Sequence, residues 1–91
     1  MSHKEKTIEI TKKETLKSRK HQIILWNDDV NTFDFVIESL IKICDHDEVQ
    51  AEQCAFIVHF NGKCPVKTGS MSDLKPRCEK LLSLGLTASI K

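Results

Sequence analysis

The chain has 91 residues, of which 40% are hydrophobic, and its formal net charge is +1. This length fits one domain with a modest core, and the hydrophobic content is that of a folded chain rather than a disordered one. The small net charge gives no global field that would attract nucleic acid. No apolar run has the length of a signal peptide or a membrane span.

The charge divides the chain into two parts. Residues 1–20 hold seven Lys/Arg and three Glu, whereas residues 21–91 hold seven Lys/Arg and ten Asp/Glu. A basic, polar segment therefore precedes a mildly acidic body. We expect residues 1–20 to form a flexible tail and residues 21–91 to form one folded domain.

The first predicted element is a strand over residues 21–26, because HQIILW is apolar and rich in strand-forming residues. The strand stops at residues 27–29, Asn-Asp-Asp, which favour a turn. Asn31 or Thr32 can cap the helix that follows. Its apolar residues recur three and four positions apart. They are Phe33, Val36, Ile37, Leu40, Ile41 and Cys44.

A second helix is predicted to begin after Asp47 and to end at Gly62, which tolerates the left-handed backbone of a C-cap. Its apolar residues are Val49, Ala51, Cys54, Ala55, Ile57 and Val58. Residues 63–67 predict a weak strand, which Pro65 confines to the edge or the end of a sheet.

A third helix is predicted to begin at Ser70 or Ser72 and to stop at Gly85. Pro76 fits this helix only within its first turn. Residues 86–90 alternate apolar and polar positions and predict a last strand. The order β-α-α-β-α-β indicates an α+β fold, a two-layer domain in which a three-stranded antiparallel sheet packs against helices.

The four cysteines are placed at positions 44, 54, 64 and 78. No CxxC pair is present, so the spacing of a zinc site is absent. We expect reduced, structural thiols, a cytoplasmic location, and neither a metal nor a cofactor.

Residues 27–29 place an amide and two carboxylates directly after an apolar strand. Such a group of acceptors suits a cation: a metal ion, a lysine or a protein α-amino group. The tripeptide alone favours a simpler hypothesis, a polar turn that only caps the next helix. His59 lies near the end of the second predicted helix, where a histidine commonly meets the helix C-terminus. No catalytic motif accompanies these residues, so we predict that the protein is not an enzyme.

Three motifs at this spacing resemble the ClpS family: ILWNDD at residues 24–29, TFDFVI at 32–37 and VHFNGK at 58–63. The resemblance covers residues 21–91. It implies an adaptor that binds N-degron proteins by a bulky hydrophobic first residue and delivers them to a Clp AAA+ unfoldase. Nothing in the sequence suggests an obligate dimer, so we expect a monomer. The tail would contact the unfoldase, and neither nucleic acid nor a membrane would be a partner.

The resemblance also implies roles for individual residues. Asn27, Asp28 and His59 would hold the α-ammonium of the ligand, and Asp29 would support the turn. The pocket for the first side chain would be lined by Trp26, Phe33, Val36, Ala55, Val58 and Leu86. Many family members have Met at the positions of Phe33 and Ala55, which leaves the preferred first residue open.

Two other hypotheses remain at this point. The order of elements is similar to that of the C-terminal domain of the ribosomal stalk protein, which would make the chain a non-catalytic protein-interaction module. Alternatively, Asp28, Asp29 and His59 could build a small metal-binding or hydrolytic site, although no nucleophile or closed ligand set accompanies them.

Overall fold

The structure, a computed structural model, describes residues 20–91. The predicted order and the α+β class are confirmed, and the predicted tail lies, except for Lys20, outside the described residues. The elements are β1 (His21–Trp26), α1 (Phe33–Cys44), α2 (Glu48–Asn61), β2 (Lys63–Gly69), α3 (Met71–Ser83) and β3 (Thr87–Ile90). Within residues 20–91, no helix combines the length and the apolar character needed to cross a membrane.

The sheet has the strand order β2-β1-β3, and β1 is antiparallel to both neighbours. The edge position of β2 is the one that Pro65 predicts, since proline cannot donate to a neighbouring strand. Trp26, the last residue of β1, lies opposite Lys63 on one side and Thr87 on the other. The turn that follows Trp26 therefore leaves the middle of the sheet, between the end of α2 and the start of β3.

Each helix begins at a residue whose side chain accepts a backbone N–H. The acceptors are Thr32 for α1, Asp47 for α2 and Ser70 for α3. These bonds satisfy donors that would otherwise have no partner in the first turn of a helix. Gly62, at φ 90°, ends α2 in the left-handed conformation, and its N–H donates to the carbonyl of Val58.

The sequence predicts Pro76 only in the first turn of α3, but Pro76 lies beyond that turn. It is the sixth residue of the helix. The helical hydrogen bonds begin with the bond from the Leu74 N–H to the Ser70 carbonyl, so Pro76 removes a bond near the start of the ladder rather than in its middle. That position explains how α3 continues to Ser83.

The core lies between the sheet and the helices. Its largest fully buried side chains are Ile23, Leu25, Leu40, Leu74, Leu81 and Cys44. Helix α2 contributes Ala51, Ala55 and Val58, whereas Val49, which lies off this face, is 63% exposed. Small residues on the buried face let α2 lie close to its neighbours, and apolar side chains on its other faces remain at the surface.

The four cysteines are free thiols; three are buried and Cys54 is partly buried. Burial raises the pKa of Cys44 to about 11. Burial, together with the neighbouring Cys64 thiol, raises the pKa of Cys54 to about 12. Cys44 and Cys54 are therefore protonated at neutral pH, as is typical of thiols that pack in a core rather than act as nucleophiles.

Alkaline pH is expected to destabilise the fold through these thiols. In the unfolded chain they ionise near pH ~8.5, whereas in the folded chain Cys44 and Cys54 stay protonated to about 11 and about 12. The unfolded state thus binds fewer protons between these values, and the free energy of unfolding falls as pH rises. Urea denaturation under reducing conditions from pH 8 to pH 10 should show this fall, and Cys44→Ala should reduce its slope. An unchanged slope in that variant would contradict the assignment.

Candidate functional site

A cavity of about 280 Å³ opens where the turn after β1 meets α1, α2 and the α3–β3 connection. All ten residues that the sequence analysis singled out lie around it, together with Leu25 and Asn31, which it did not include. The lining residues are Leu25, Trp26, Asn27, Asp28, Asp29, Asn31, Phe33, Val36, Ala55, Val58, His59 and Leu86.

One side of this cavity is apolar. Ala55, Val58 and Leu86 are buried, whereas Phe33 is 39% exposed and Trp26 is 40% exposed. The buried side chains form the interior wall, and the Phe33 ring stands at its edge. An apolar cavity of about 150 Å³ can hold benzene, so the space here is sufficient for a large side chain.

The orientation of Trp26 is fixed by contacts on both sides of β1. Its indole Nε1–H donates to Ser89 Oγ at 3.0 Å, and Lys63 Nζ lies 5.2 Å from the ring centroid. The indole donor is thereby satisfied by the neighbouring strand. Ser89 and Lys63 are exposed residues of the neighbouring strands. The Trp26 ring therefore packs on the outer face of the sheet, opposite to the buried Leu25.

The other side of the cavity is polar. The Asn27 N–H donates to the Gly62 carbonyl at 2.8 Å, which joins the turn after β1 to the end of α2. Asn27 is thus held beside the last turn of α2, where His59 is located. Both side chains are exposed, and neither has a hydrogen-bond partner among residues 20–91, so their acceptor atoms are available.

Asp28 organises the turn. Its Oδ1 accepts the N–H groups of Val30 and Asn31 at 2.9 and 2.8 Å, and its Oδ2 accepts Asn31 Nδ2–H at 2.9 Å. The backbone N–H of Asn31 is the largest of the causes that lower the pKa of Asp28, because hydrogen bonds to a carboxylate favour its charged form.

The turn-supporting role predicted for Asp29 therefore falls to Asp28. Asp29 is exposed and makes no hydrogen bond or ion pair with any other residue in the described part of the chain. The sequence could not separate the two carboxylates, because either one can close a turn onto the backbone two residues further along. Asp28 uses its oxygens within the turn, whereas every acceptor position of the Asp29 carboxylate is free among the described residues.

Asn31 lines the cavity but was not among the predicted site residues. Its Nδ2 donates to Asp28 and also to the Gly85 carbonyl at 3.0 Å. Gly85 precedes Leu86, so Asn31 ties the polar turn to the apolar wall. The sequence indicated Asn31 only as a possible N-cap of the first helix. Thr32 is the N-cap, so the Asn31 side chain is free to bond Asp28 and Gly85.

Replacing Asn31 by Ala is expected to lower the free energy of unfolding by about 1–2 kcal/mol, because two side-chain hydrogen bonds are lost at a half-buried position. Urea denaturation measures the loss, and amide hydrogen exchange should accelerate at Val30. Asn61→Ala is the matched control, since the Asn61 side chain is exposed and makes no hydrogen bond within residues 20–91. Equal stability of the two variants would contradict this role of Asn31.

No cluster of three or more His, Cys, Asp or Glu side chains within residues 20–91 is arranged to hold a metal ion. The carboxylates and His59 at the cavity therefore do not form a closed set of ligands. What the arrangement offers chemically is a row of hydrogen-bond acceptors beside an apolar space.

The family model and the similar proteins with known names all point to the same family. Residues 16–89 match the family model of the ATP-dependent Clp protease adaptor protein ClpS. An ATP-dependent Clp protease adapter protein ClpS from Campylobacter jejuni is 33% identical over 94 aligned positions, which cover 97% of this chain and 96% of the relative. The ClpS adapter protein from Salmonella gallinarum is 39% identical over 57 positions, 60% of this chain and 54% of that one.

The fold agrees with this family. A solved structure of Agrobacterium tumefaciens ClpS2 bound to L-phenylalaninamide has a TM-score of 0.75, at 18% sequence identity, and the match covers 79% of this chain and 94% of that one. The small α+β domain thus shares the fold of that ClpS structure. The chain belongs to the ClpS family, the adaptors of the ATP-dependent Clp protease.

Proposed function

We propose that the protein is an N-degron adaptor. It binds the free α-amino group and the bulky hydrophobic first side chain of a substrate protein, and it delivers that substrate to a Clp AAA+ unfoldase for degradation. The observation that carries the proposal is one cavity in which an apolar wall adjoins side chains with free acceptors.

The polar side suits an α-ammonium group. The α-amino group has a pKa of roughly 7.7–8.0, so it is largely a cation at neutral pH, with three N–H donors. Asn27 Oδ1 and the unprotonated ring nitrogen of His59 can each accept one of them. Asp28 adds its charge and the remaining lone pair of Oδ2, and Asp29 adds a carboxylate that accepts directly or through a water molecule.

The apolar side suits a bulky first side chain. Six residues form this part of the proposed site: Trp26, Phe33, Val36, Ala55, Val58 and Leu86. The methyl group of Ala55 leaves space on the α2 side, while Phe33 supplies a flat ring on the α1 side. The Agrobacterium relative was solved with L-phenylalaninamide, a molecule that combines a free amine with a benzyl side chain, and the cavity here has room for such a group.

The same proposal covers the partners and the location. Binding and release need no catalytic group or cofactor, and the adaptor acts as a monomer that touches its substrate and the unfoldase. The free thiols suit a reducing compartment, so we place this activity in the cytosol. Residues 1–20, with their excess of basic residues, would contact the unfoldase.

A degradation assay tests delivery. A reporter protein with Phe as its exposed first residue is incubated with a Clp unfoldase, its peptidase and ATP, with and without the adaptor. The adaptor should accelerate loss of this reporter and leave a reporter that begins with Gly unaffected. If both reporters are degraded at the same rate with and without the adaptor, the proposal is wrong.

A further inference from the structure

Two phenylalanines of α2 stand beside the cavity without lining it. Phe56 is 57% exposed and Phe60 is 68% exposed, and their ring centroids are 4.9 Å apart. We call this pair the aromatic ridge. Exposed rings in mutual contact are apolar surface that the fold itself does not use.

The aromatic ridge is continuous with the cavity at both of its ends. Phe56 meets Phe33 edge to face, with ring centroids 5.7 Å apart and an interplanar angle of 88°. Phe60 meets His59 in the same manner at 4.9 Å. Since Phe33 and His59 both line the cavity, the ridge extends its rim rather than forming a separate patch.

The geometry of a bound N-terminus brings its second residue to this rim. With the amine at Asn27 and His59 and the first side chain beside Phe33 and Ala55, the first Cα lies between these groups. The next Cα is ~3.8 Å further along the chain. The rings of the aromatic ridge contact the rings of Phe33 and His59 at centroid distances of 5.7 and 4.9 Å. A side chain on the second Cα can span such a distance.

The two sides of the rim differ in chemistry. The ridge presents aromatic rings, whereas the turn after β1 presents Asp28 and Asp29. An apolar second side chain placed over the carboxylates would remove water from them and offer no hydrogen bond in return. Placed against the rings, it would bury apolar surface. The ridge is thus the side that an apolar second residue would occupy.

We propose that Phe56 and Phe60 form a second subsite, which binds an apolar or aromatic side chain at the second position of the ligand. This inference rests on the proposed function, because the first residue must be bound for the second to reach the ridge. It adds a sequence preference beyond the first residue, and it gives a purpose to two exposed aromatic side chains.

The contact between Phe56 and Phe33 allows a different explanation, in which Phe56 only positions Phe33 over the first subsite. A positioning effect would weaken all ligands equally, whatever their second residue. A subsite effect depends on the second residue. The test therefore compares two peptides in each variant rather than one.

Fluorescence anisotropy is measured with two labelled peptides, one that begins Phe-Phe and one that begins Phe-Gly, otherwise identical. The wild-type protein should bind the first roughly threefold to tenfold more tightly. Phe56→Ala and Phe60→Ala should bring this ratio close to one. Val49→Ala is the matched control, since it truncates another exposed apolar side chain of α2, and it should leave the ratio unchanged.

A wild-type ratio of one, with Phe-Gly still bound in a manner that N-acetylation abolishes, overturns the subsite and leaves the proposed function intact. A ratio that persists in both Phe variants also overturns it. If neither peptide binds, or if acetylated peptides bind equally well, the proposed function fails, and the second subsite fails with it.

Discussion

Replacing His59 by Ala is expected to weaken binding of a peptide with a free N-terminal Phe by roughly tenfold to hundredfold. The variant loses one charge-assisted hydrogen bond to the α-ammonium, an interaction of about 1.5–3 kcal/mol. The His59 side chain is exposed and has no hydrogen-bond partner among residues 20–91, so the fold should be unaffected. Anisotropy titration gives the dissociation constant, and urea denaturation checks the stability.

Asn27→Ala should produce a loss in the same range, because Asn27 offers a second free acceptor beside the same cavity. Asn61→Ala is its control, as another exposed asparagine near the end of α2. His21→Ala serves in the same way for His59, since the His21 ring bonds the Lys91 carbonyl and does not line the cavity. Full affinity in His59→Ala and Asn27→Ala together would show that the amine is held elsewhere.

Replacing Ala55 by Leu is expected to reduce affinity for peptides that begin with Phe or Trp by at least about tenfold. Ala55 is buried in the apolar wall of the cavity, and an isobutyl group there takes up space that the first side chain would fill. Loss of most of the burial of a Phe side chain is worth about 1.5–3 kcal/mol. The effect should be smallest for ligands with a small first side chain.

Stability separates occlusion of the cavity from damage to the fold in Ala55→Leu. A group that enters an open cavity should not force the core apart, whereas overpacking of a closed core typically costs about 1–3 kcal/mol. Val49→Leu enlarges an exposed side chain of the same helix and should change neither binding nor stability. Normal affinity for Phe in Ala55→Leu, with His59→Ala still impaired, would place the first side chain outside this wall.

The fold followed from local rules that the chain obeys at nearly every boundary. A short apolar run gave β1, polar caps at Thr32, Asp47 and Ser70 began the helices, and Gly62 ended α2. Each of these features depends on residues close together in the sequence. For that reason they can be inferred without a structure.

Burial was harder to infer, because it depends on what each face of a helix meets. Val49 and Ile57 were among the apolar residues of the second predicted helix, but both are exposed, since the buried face of α2 is formed by Ala51, Ala55 and Val58. Pro76 was expected in the first turn of α3 and lies beyond it. Helix α3 tolerates the loss of one backbone hydrogen bond at Pro76, although proline has a low helix propensity at interior positions.

The candidate site was predicted in composition but not in its internal bonding. The family resemblance named ten of the residues that line the cavity, yet the bond from Asn31 to the Gly85 carbonyl spans 54 positions and leaves no local pattern. The division of tasks between Asp28 and Asp29 likewise depends on which carboxylate meets the backbone N–H groups. The aromatic ridge was hidden because Phe56 and Phe60 fall outside the apolar face of α2.

The most direct measurement compares one labelled peptide that begins with Phe, with a free amine, against its N-acetylated twin. The acetyl group removes the positive charge and two of the three N–H donors but keeps the benzyl side chain. We expect the free peptide to bind with a Kd on the order of micromolar and the acetylated peptide to bind at least roughly tenfold more weakly. Equal binding of the two peptides would contradict recognition of a free N-terminus at the cavity.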